Sequence, residues 1–149
     1  MIVDGSSLGA GDSLVFNGAA ETNGAFTMAG GAGNDTLTGG AGNDTFTASA
    51  GNDTVNGGTG ADTAIFSGNY SAYTVGSSGG VSTVSGAGGT TTLTNVETLQ
   101  FADQTVNTST IFGTSGNDTL CGTADNDTID FSQGGNDTAI LSYTFGSGY

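Results

Sequence analysis

The chain has 149 residues, with 14 acidic side chains, 29 glycines, no Lys, Arg, His, Pro or Trp, and a net charge of −14. Nothing in it can neutralise a nucleic-acid phosphate or an anionic membrane surface, so both are excluded as partners. Charge of one sign resists compaction until cations neutralise it, and a glycine-rich acidic chain without counterions favours disorder.

The length suits one compact domain or two small ones. No apolar run is long enough to span a membrane. The first residues, MIVDGSSLGAGD, have neither a basic n-region nor an apolar h-region, so they are not expected to be a secretory signal peptide. The single cysteine, Cys121, leaves no internal disulfide.

Residues 1–29 read as worn repeats. Alternation at Leu14 and Phe16, and again at Phe26 and Met28, predicts short strands with one buried face. The segment is expected to cap the end of a stack, with Phe26 standing where the following repeats have Asp. Gly11-Asp12-Ser13-Leu14 spells a motif in which Ser is a nucleophile, but activating a serine needs a general base, normally His, and there is none. It reads as a glycine-rich turn.

Residues 30–65 are four consecutive nine-residue units, GGAGNDTLT, GGAGNDTFT, ASAGNDTVN and GGTGADTAI. A short fixed period means a repeat architecture. In each unit a Gly/Asn/Asp turn precedes a short strand, and Leu37, Phe46, Val55 and Ala64 point inward. Two units make one coil of a flattened right-handed helix of strands, and coils stack at about 4.8 Å. Turns on one edge then come from alternate units, placing Asp35 with Asp53 and Asp44 with Asp62. Carboxylates stacked that closely repel unless a cation lies between them. An all-oxygen setting of carboxylates and turn carbonyls suits a hard cation, and flexible high coordination favours Ca²⁺ over Mg²⁺.

These units resemble the calcium-binding nonapeptide GGxGxDxUx (U apolar) of RTX proteins, and the first two match it at every defined position. The resemblance implies a parallel β-roll. It also implies a ligand set in which one turn gives its first and third carbonyls and its Asp, and the next stacked turn gives its second and fourth carbonyls and its Asp. Carried over, one site is Gly30, Ala32 and Asp35 with Ser49, Gly51 and Asp53. A second is Gly39, Ala41 and Asp44 with Gly58, Gly60 and Asp62. The third unit departs from the pattern, with Ala48 and Ser49 in place of the glycine pair.

Residues 66–111 lose the period. Alternation at Tyr73 and Val75, a GSSGG turn, and alternation at Val81 and Val84 predict a hairpin within a β-meander. The stretch from Thr92 to Thr105, TLTNVETLQFADQT, resembles the module that follows the roll in secreted RTX enzymes. Glu97 and Asp103 within it are open between capping or turn chemistry and extra calcium ligation.

Residues 112–140 return to the repeat, with Asp118, Asp127 and Asp137 as its aspartates. A third site there would use Gly113, Ser115, Asp118, Gln133, Gly135 and Asp137, while Asp127 sits on the opposite edge. The uncharged tail, residues 141–149, is a last strand or the C-terminal secretion segment that RTX proteins resemble one another in carrying.

The expected fold is all-β: a right-handed parallel β-roll, an intervening β-meander and a second short β-roll segment. The expected function is that of a non-enzymatic bacterial calcium-binding protein, secreted by a type I apparatus to the extracellular space or cell surface. It folds on calcium and acts structurally, joining head to tail as a homo-oligomer, filament or layer. The alternative is a non-catalytic secretion and folding module of a larger secreted enzyme or adhesin.

Overall fold

The computed structural model describes residues 1–78 and 80–108, and beyond them the strand backbones of 110–112, 119–121, 128–130 and 138–140. Met1–Thr108 form one compact unit and Ser109–Tyr149 a second.

The first unit begins with three-residue strands β1 (Ile2–Asp4), β2 (Val15–Asn17) and β3 (Thr27–Ala29). The nonapeptides follow as β4 (Thr36–Ala41), β5 (Thr45–Thr47), β6 (Asp53–Thr59) and β7 (Thr63–Ile65). Strands pair with the next but one in parallel: β1 with β3, β3 with β5 and β5 with β7 on one side, β2 with β4 and β4 with β6 on the other. The chain thus alternates between two sheets, two nonapeptides to a coil, as the period of nine predicts. Alternation of side chains along each strand sends the middle residue inward and the flanking Thr outward.

Residues 66–108 join this stack. After a 3₁₀ turn at Tyr70–Ala72 come β8 (Thr74–Ser78), β9 (Val81–Gly86), β10 (Gly89–Thr94), β11 (Thr98–Gln100) and β12 (Thr105–Asn107). β8, β9 and β10 form the antiparallel meander. Strand β10 also lies parallel on β6, with Leu93 opposite Val55, and β11 lies parallel on β7, with Leu99 opposite Ala64. Thr92-Leu93-Thr94 and Thr98-Leu99-Gln100 are therefore a further coil of the roll, without the glycine signature. The hairpin needs one correction in detail. β8 runs to Ser78, well into the GSSGG stretch. Val81 and Val84 are three apart and face opposite ways, so the residue sharing the buried face with Val84 is Ser82.

The core is the space between the sheets. Val3, Met28, Phe46, Ala64, Leu99 and Val106 stack along one inner face, and Phe16, Leu37, Val55 and Leu93 along the other. An aromatic cluster of Phe66, Tyr70, Tyr73 and Phe101 closes the last coil.

In the second unit, β13 (Thr110–Phe112) pairs in parallel with β15 (Thr128–Asp130), and β14 (Thr119–Cys121) with β16 (Thr138–Ile140). This is the same next-but-one pairing, with Ile111 opposite Ile129 and Leu120 opposite Ala139. Residues 113, 115, 118, 127, 133, 135 and 137, which carry the third expected site and Asp127, lie outside the described residues, as does the tail.

Candidate metal centre

The turn before each strand holds the polar residues. Asp35, Asp44, Asp53 and Asp62 are at most 4% exposed, in a sequence with no basic side chain to pair them. Burying an ionised carboxylate without a counter-charge costs several kcal/mol or more. They lie in two columns. The Asp53 carboxylate accepts the Asp35 backbone N–H at 3.0 Å, and the Asp62 carboxylate accepts that of Asp44 at 2.7 Å. The Asp35 and Asp44 carboxylates in turn accept the N–H groups of Leu14 (2.8 Å) and Phe26 (2.7 Å) in the coil before them. Leu14 and Phe26 hold the aspartate position in their coils but carry apolar side chains, so each column begins one coil later.

A second set of bonds runs the opposite way. Asn34 Oδ1 accepts from the Asn52 N–H (2.7 Å), Asn43 Oδ1 from Ala61 (3.0 Å) and Asn52 Oδ1 from Thr90 (3.0 Å). Among the described residues, the Asn of each GND triplet thus ties its turn to the following coil while the Asp ties it to the preceding one. Sequence reasoning assigned the Asn residues no role. Their recurrence beside each Asp was the available signal.

The glycines make room for these oxygens. A β-carbon on Gly30 or Gly39 would overlap Oδ2 of the aspartate five residues on, Asp35 or Asp44. The same oxygens accept N–H bonds from Gly31 (2.7 Å) and Gly40 (3.0 Å). At the fourth position Gly51 and Gly60 adopt φ of 111° and 142°, where a side chain is strained, and lie against the carbonyls of Gly33 and Gly42 one coil back.

Of the first expected ligand set, Gly30, Asp35, Ser49 and Asp53 line part of a cavity of about 10 Å³ whose other walls include the core side chains Leu37, Phe46, Val55 and Leu93; Ala32 and Gly51 do not line it. That volume is about one water-sized sphere. Of the second set, Gly39 abuts Asp44, Asp44 is bonded to Asp62, Gly40 pairs with Gly58 and Ala41 with Thr59, and Gly60 stacks on Gly42. Among the described residues no three acidic side chains converge on one point. The carboxylates come as vertical pairs, and carbonyls must supply the remaining donors of any cation there.

The same burial shows in proton affinity. Burial pushes the Asp53 carboxyl up from its ordinary value, with the charge of Asp35 adding to the effect and the Asp35 N–H bond opposing it. Asp62 is pushed up to about 6, first by burial and then by the charges of Asp44 and Glu97, against the bond from Asp44. Asp62 Oδ2 is a buried oxygen with no hydrogen-bond partner among the described residues.

Residues 29–64 and 108–139 match the model of the RTX calcium-binding nonapeptide repeat, in four copies. The chain carries RTX repeats. RTX nonapeptides bind calcium, so Ca²⁺ is the cation that these turns are built for. The roll of stacked parallel strands seen here is the expected setting for such RTX turns. No curated protein matches the chain. Among solved structures, the extracellular lipase LipA from Serratia marcescens matches with 22% identity and a TM-score of 0.31, over 80% of this chain and 25% of the lipase. The chain thus spans about a quarter of that protein's length.

Outside the RTX turns, Asp103 accepts the Tyr70 N–H at 2.8 Å and so serves turn chemistry. Ser13 is exposed, next to the turn closed by the Asp12 N–H and the Gly9 carbonyl.

Proposed function

We propose that this chain is a secreted calcium-binding RTX protein that folds on calcium and serves a structural, non-catalytic role outside the bacterial cell or on its surface. The observation that carries this is the pair of buried aspartate columns in a sequence without a basic side chain. At low calcium, as in the cytosol, the burial penalty and net charge keep the chain unfolded and exportable. At millimolar calcium, cations held by Gly30, Ala32, Asp35, Ser49, Gly51 and Asp53, and by Gly39, Ala41, Asp44, Gly58, Gly60 and Asp62, remove that penalty. Binding energy then becomes folding energy. We extend the proposal by sequence pattern to Gly113, Ser115, Asp118, Gln133, Gly135 and Asp137, the corresponding repeat positions in the second segment, and to the remaining repeat aspartate, Asp127.

The non-catalytic reading is supported by the lack of any His, Lys or Arg. It is also supported by an open groove of about 270 Å³ between roll and hairpin that is lined without a single carboxylate. Head-to-tail joining is supported by strands β1 and β2. Each pairs on one side only among the described residues, and Ile2 and Val15 on them are exposed. Open strand edges template further pairing.

Circular dichroism and sedimentation velocity during a calcium titration test the proposal. The expected result is an expanded chain that gains β-structure and contracts as calcium rises, and reverts with chelator. No structural gain with calcium overturns it. Electron microscopy at high calcium tests the joining, and monodisperse monomers would dismiss that part alone.

A further inference from the structure

The column Asp44–Asp62 does not end at the last nonapeptide. Strand β11 lies on β7 with Thr98 opposite Thr63, which sets Glu97 directly beyond Asp62. Glu97 carries on the bonding of the column: its Oε2 accepts the Asp62 N–H at 2.7 Å, as Asp62 accepts that of Asp44 and Asp53 that of Asp35. The backbone ties the two residues again, with the N–H of Glu97 (3.2 Å) and of Thr98 (3.0 Å) donating to the Asp62 carbonyl. The connection here is only Asn95, Val96 and Glu97, and Asn95 takes the left-handed φ of 52° to turn within it.

The oxygen setting one coil back is repeated as well. A β-carbon on Gly39 would overlap Asp44 Oδ2 and the Gly57 carbonyl oxygen of the next coil. A β-carbon on Gly57 would overlap Asp62 Oδ2 and the Asn95 carbonyl oxygen. Asn95 thus supplies at the last coil the oxygen that Gly57 supplies before it. The two settings differ in one respect. Asp44 Oδ2 is bonded to the Gly40 N–H, whereas Asp62 Oδ2, on a fully buried residue, has no partner among the described residues. An unpaired buried carboxylate oxygen beside a carbonyl oxygen and a second carboxylate is a costly arrangement unless a cation joins them. The other column has no such end: Thr91 stands opposite Asp53, so no carboxylate follows.

We infer that Asp62, Glu97 and the Asn95 carbonyl form a further calcium site, built outside the nonapeptide pattern, that terminates one aspartate column of the roll. A hard cation fits because every donor is oxygen, two of them are anionic, and exposed Glu97 leaves the outer side open to water ligands. This rests on the calcium reading above, and the experiment separates the two.

Calcium bound to the full chain is counted by equilibrium dialysis for the native sequence and for Glu97→Gln. Gln keeps an oxygen for the Asp62 N–H and removes only the charge. The expected result is one ion fewer in the variant, with the affinity of the remaining ions changed by less than about threefold, a shift near 0.6 kcal/mol. Equal stoichiometry and affinity would overturn the site and make Glu97 a hydrogen-bonding cap only. A native chain that binds no calcium overturns the functional proposal itself. Should Glu97→Gln fail to fold, anomalous diffraction from crystals of the native protein grown in calcium decides instead. A peak between Asp62 and Glu97 supports the site, and peaks confined to the nonapeptide turns refute it.

Discussion

At the scale of single residues, space and proton affinity around the aspartates make the sharpest predictions. The missing β-carbon of Gly39 is room for Asp44 Oδ2 and the Gly57 carbonyl. Gly39→Ala therefore has to displace backbone as well as a side chain, and a loss of about 1–3 kcal/mol in calcium-saturated stability is expected. Chemical denaturation at fixed calcium measures it, with Gly11→Ala as a control at an open position. The pH dependence follows from Asp62. Its carboxyl rises from 3.8 to about 6 in the fold, so the native state holds the proton more tightly than the unfolded chain. The resulting stabilisation is complete below 3.8 and is lost as pH rises through about 6. Asp53 shifts in the same direction. Without calcium, residual β-structure is expected to be greater near pH 4 than near pH 7. With limiting calcium, affinity falls as pH drops through about 6, because the proton competes for the ligand. Circular dichroism across pH, with chelator and with calcium, reads both trends. Equal signals at the two pH values in chelator would contradict the first.

At the scale of elements, the strands owe little to themselves. Most are three residues long, too short to persist without the layer on either side. Phe46 fills the centre of one inner row, between Met28 and Ala64. Phe46→Ala is expected to cost about 3–5 kcal/mol through lost burial and a cavity that regular coils cannot close. Thermal unfolding in saturating calcium measures it. Asn52 links three coils, donating its N–H to Asn34 and accepting from Thr90. In Asn52→Ala the Thr90 N–H loses its acceptor, for about 1 kcal/mol. Amide exchange should quicken at Thr90 and leave Leu37 protected. Leu37, Phe46, Val55 and Ala64 were legible as the inward set because the period put them in register. The coil of Leu93 and Leu99 was not. Its turn has only three residues and no glycine, so nothing local distinguishes Thr-Leu-Thr there from a strand of a meander. Only the pairing of β10 with β6 and of β11 with β7 does so.

At the scale of the whole molecule, a charge of −14 without basic side chains opposes compaction. General screening differs from site binding. Raising monovalent salt shortens the range of repulsion between exposed carboxylates but supplies no ligand to buried ones. Sodium chloride at about 0.15 M is therefore expected to leave the metal-free chain expanded. Magnesium, which demands stricter octahedral geometry and keeps its water, is expected to leave it expanded too, at concentrations where calcium is proposed to fold it. Sedimentation velocity in each salt compares them directly. Compaction by magnesium at calcium-like concentrations would show that the turns supply charge alone and no selective geometry.

Periodicity by itself determined the architecture of the roll. A nine-residue period with one apolar and one acidic position permits stacking only of alternate units, and that stacking dictates both the inner rows and the aspartate columns. The same pattern pointed to calcium, since repeated oxygen donors without a basic residue require a hard cation. The tertiary structure decided where the columns stop. Apolar Leu14 and Phe26 stand one coil before the first carboxylates, Asp35 and Asp44, and Thr91 ends one of the columns. Glu97 continues the other from a three-residue turn outside the pattern. Those endings depend on which strand lies on which, a contact between residues as far apart as Asp62 and Glu97. No local signal in a chain encodes a pairing of that kind. It is set by the packing of the completed coil.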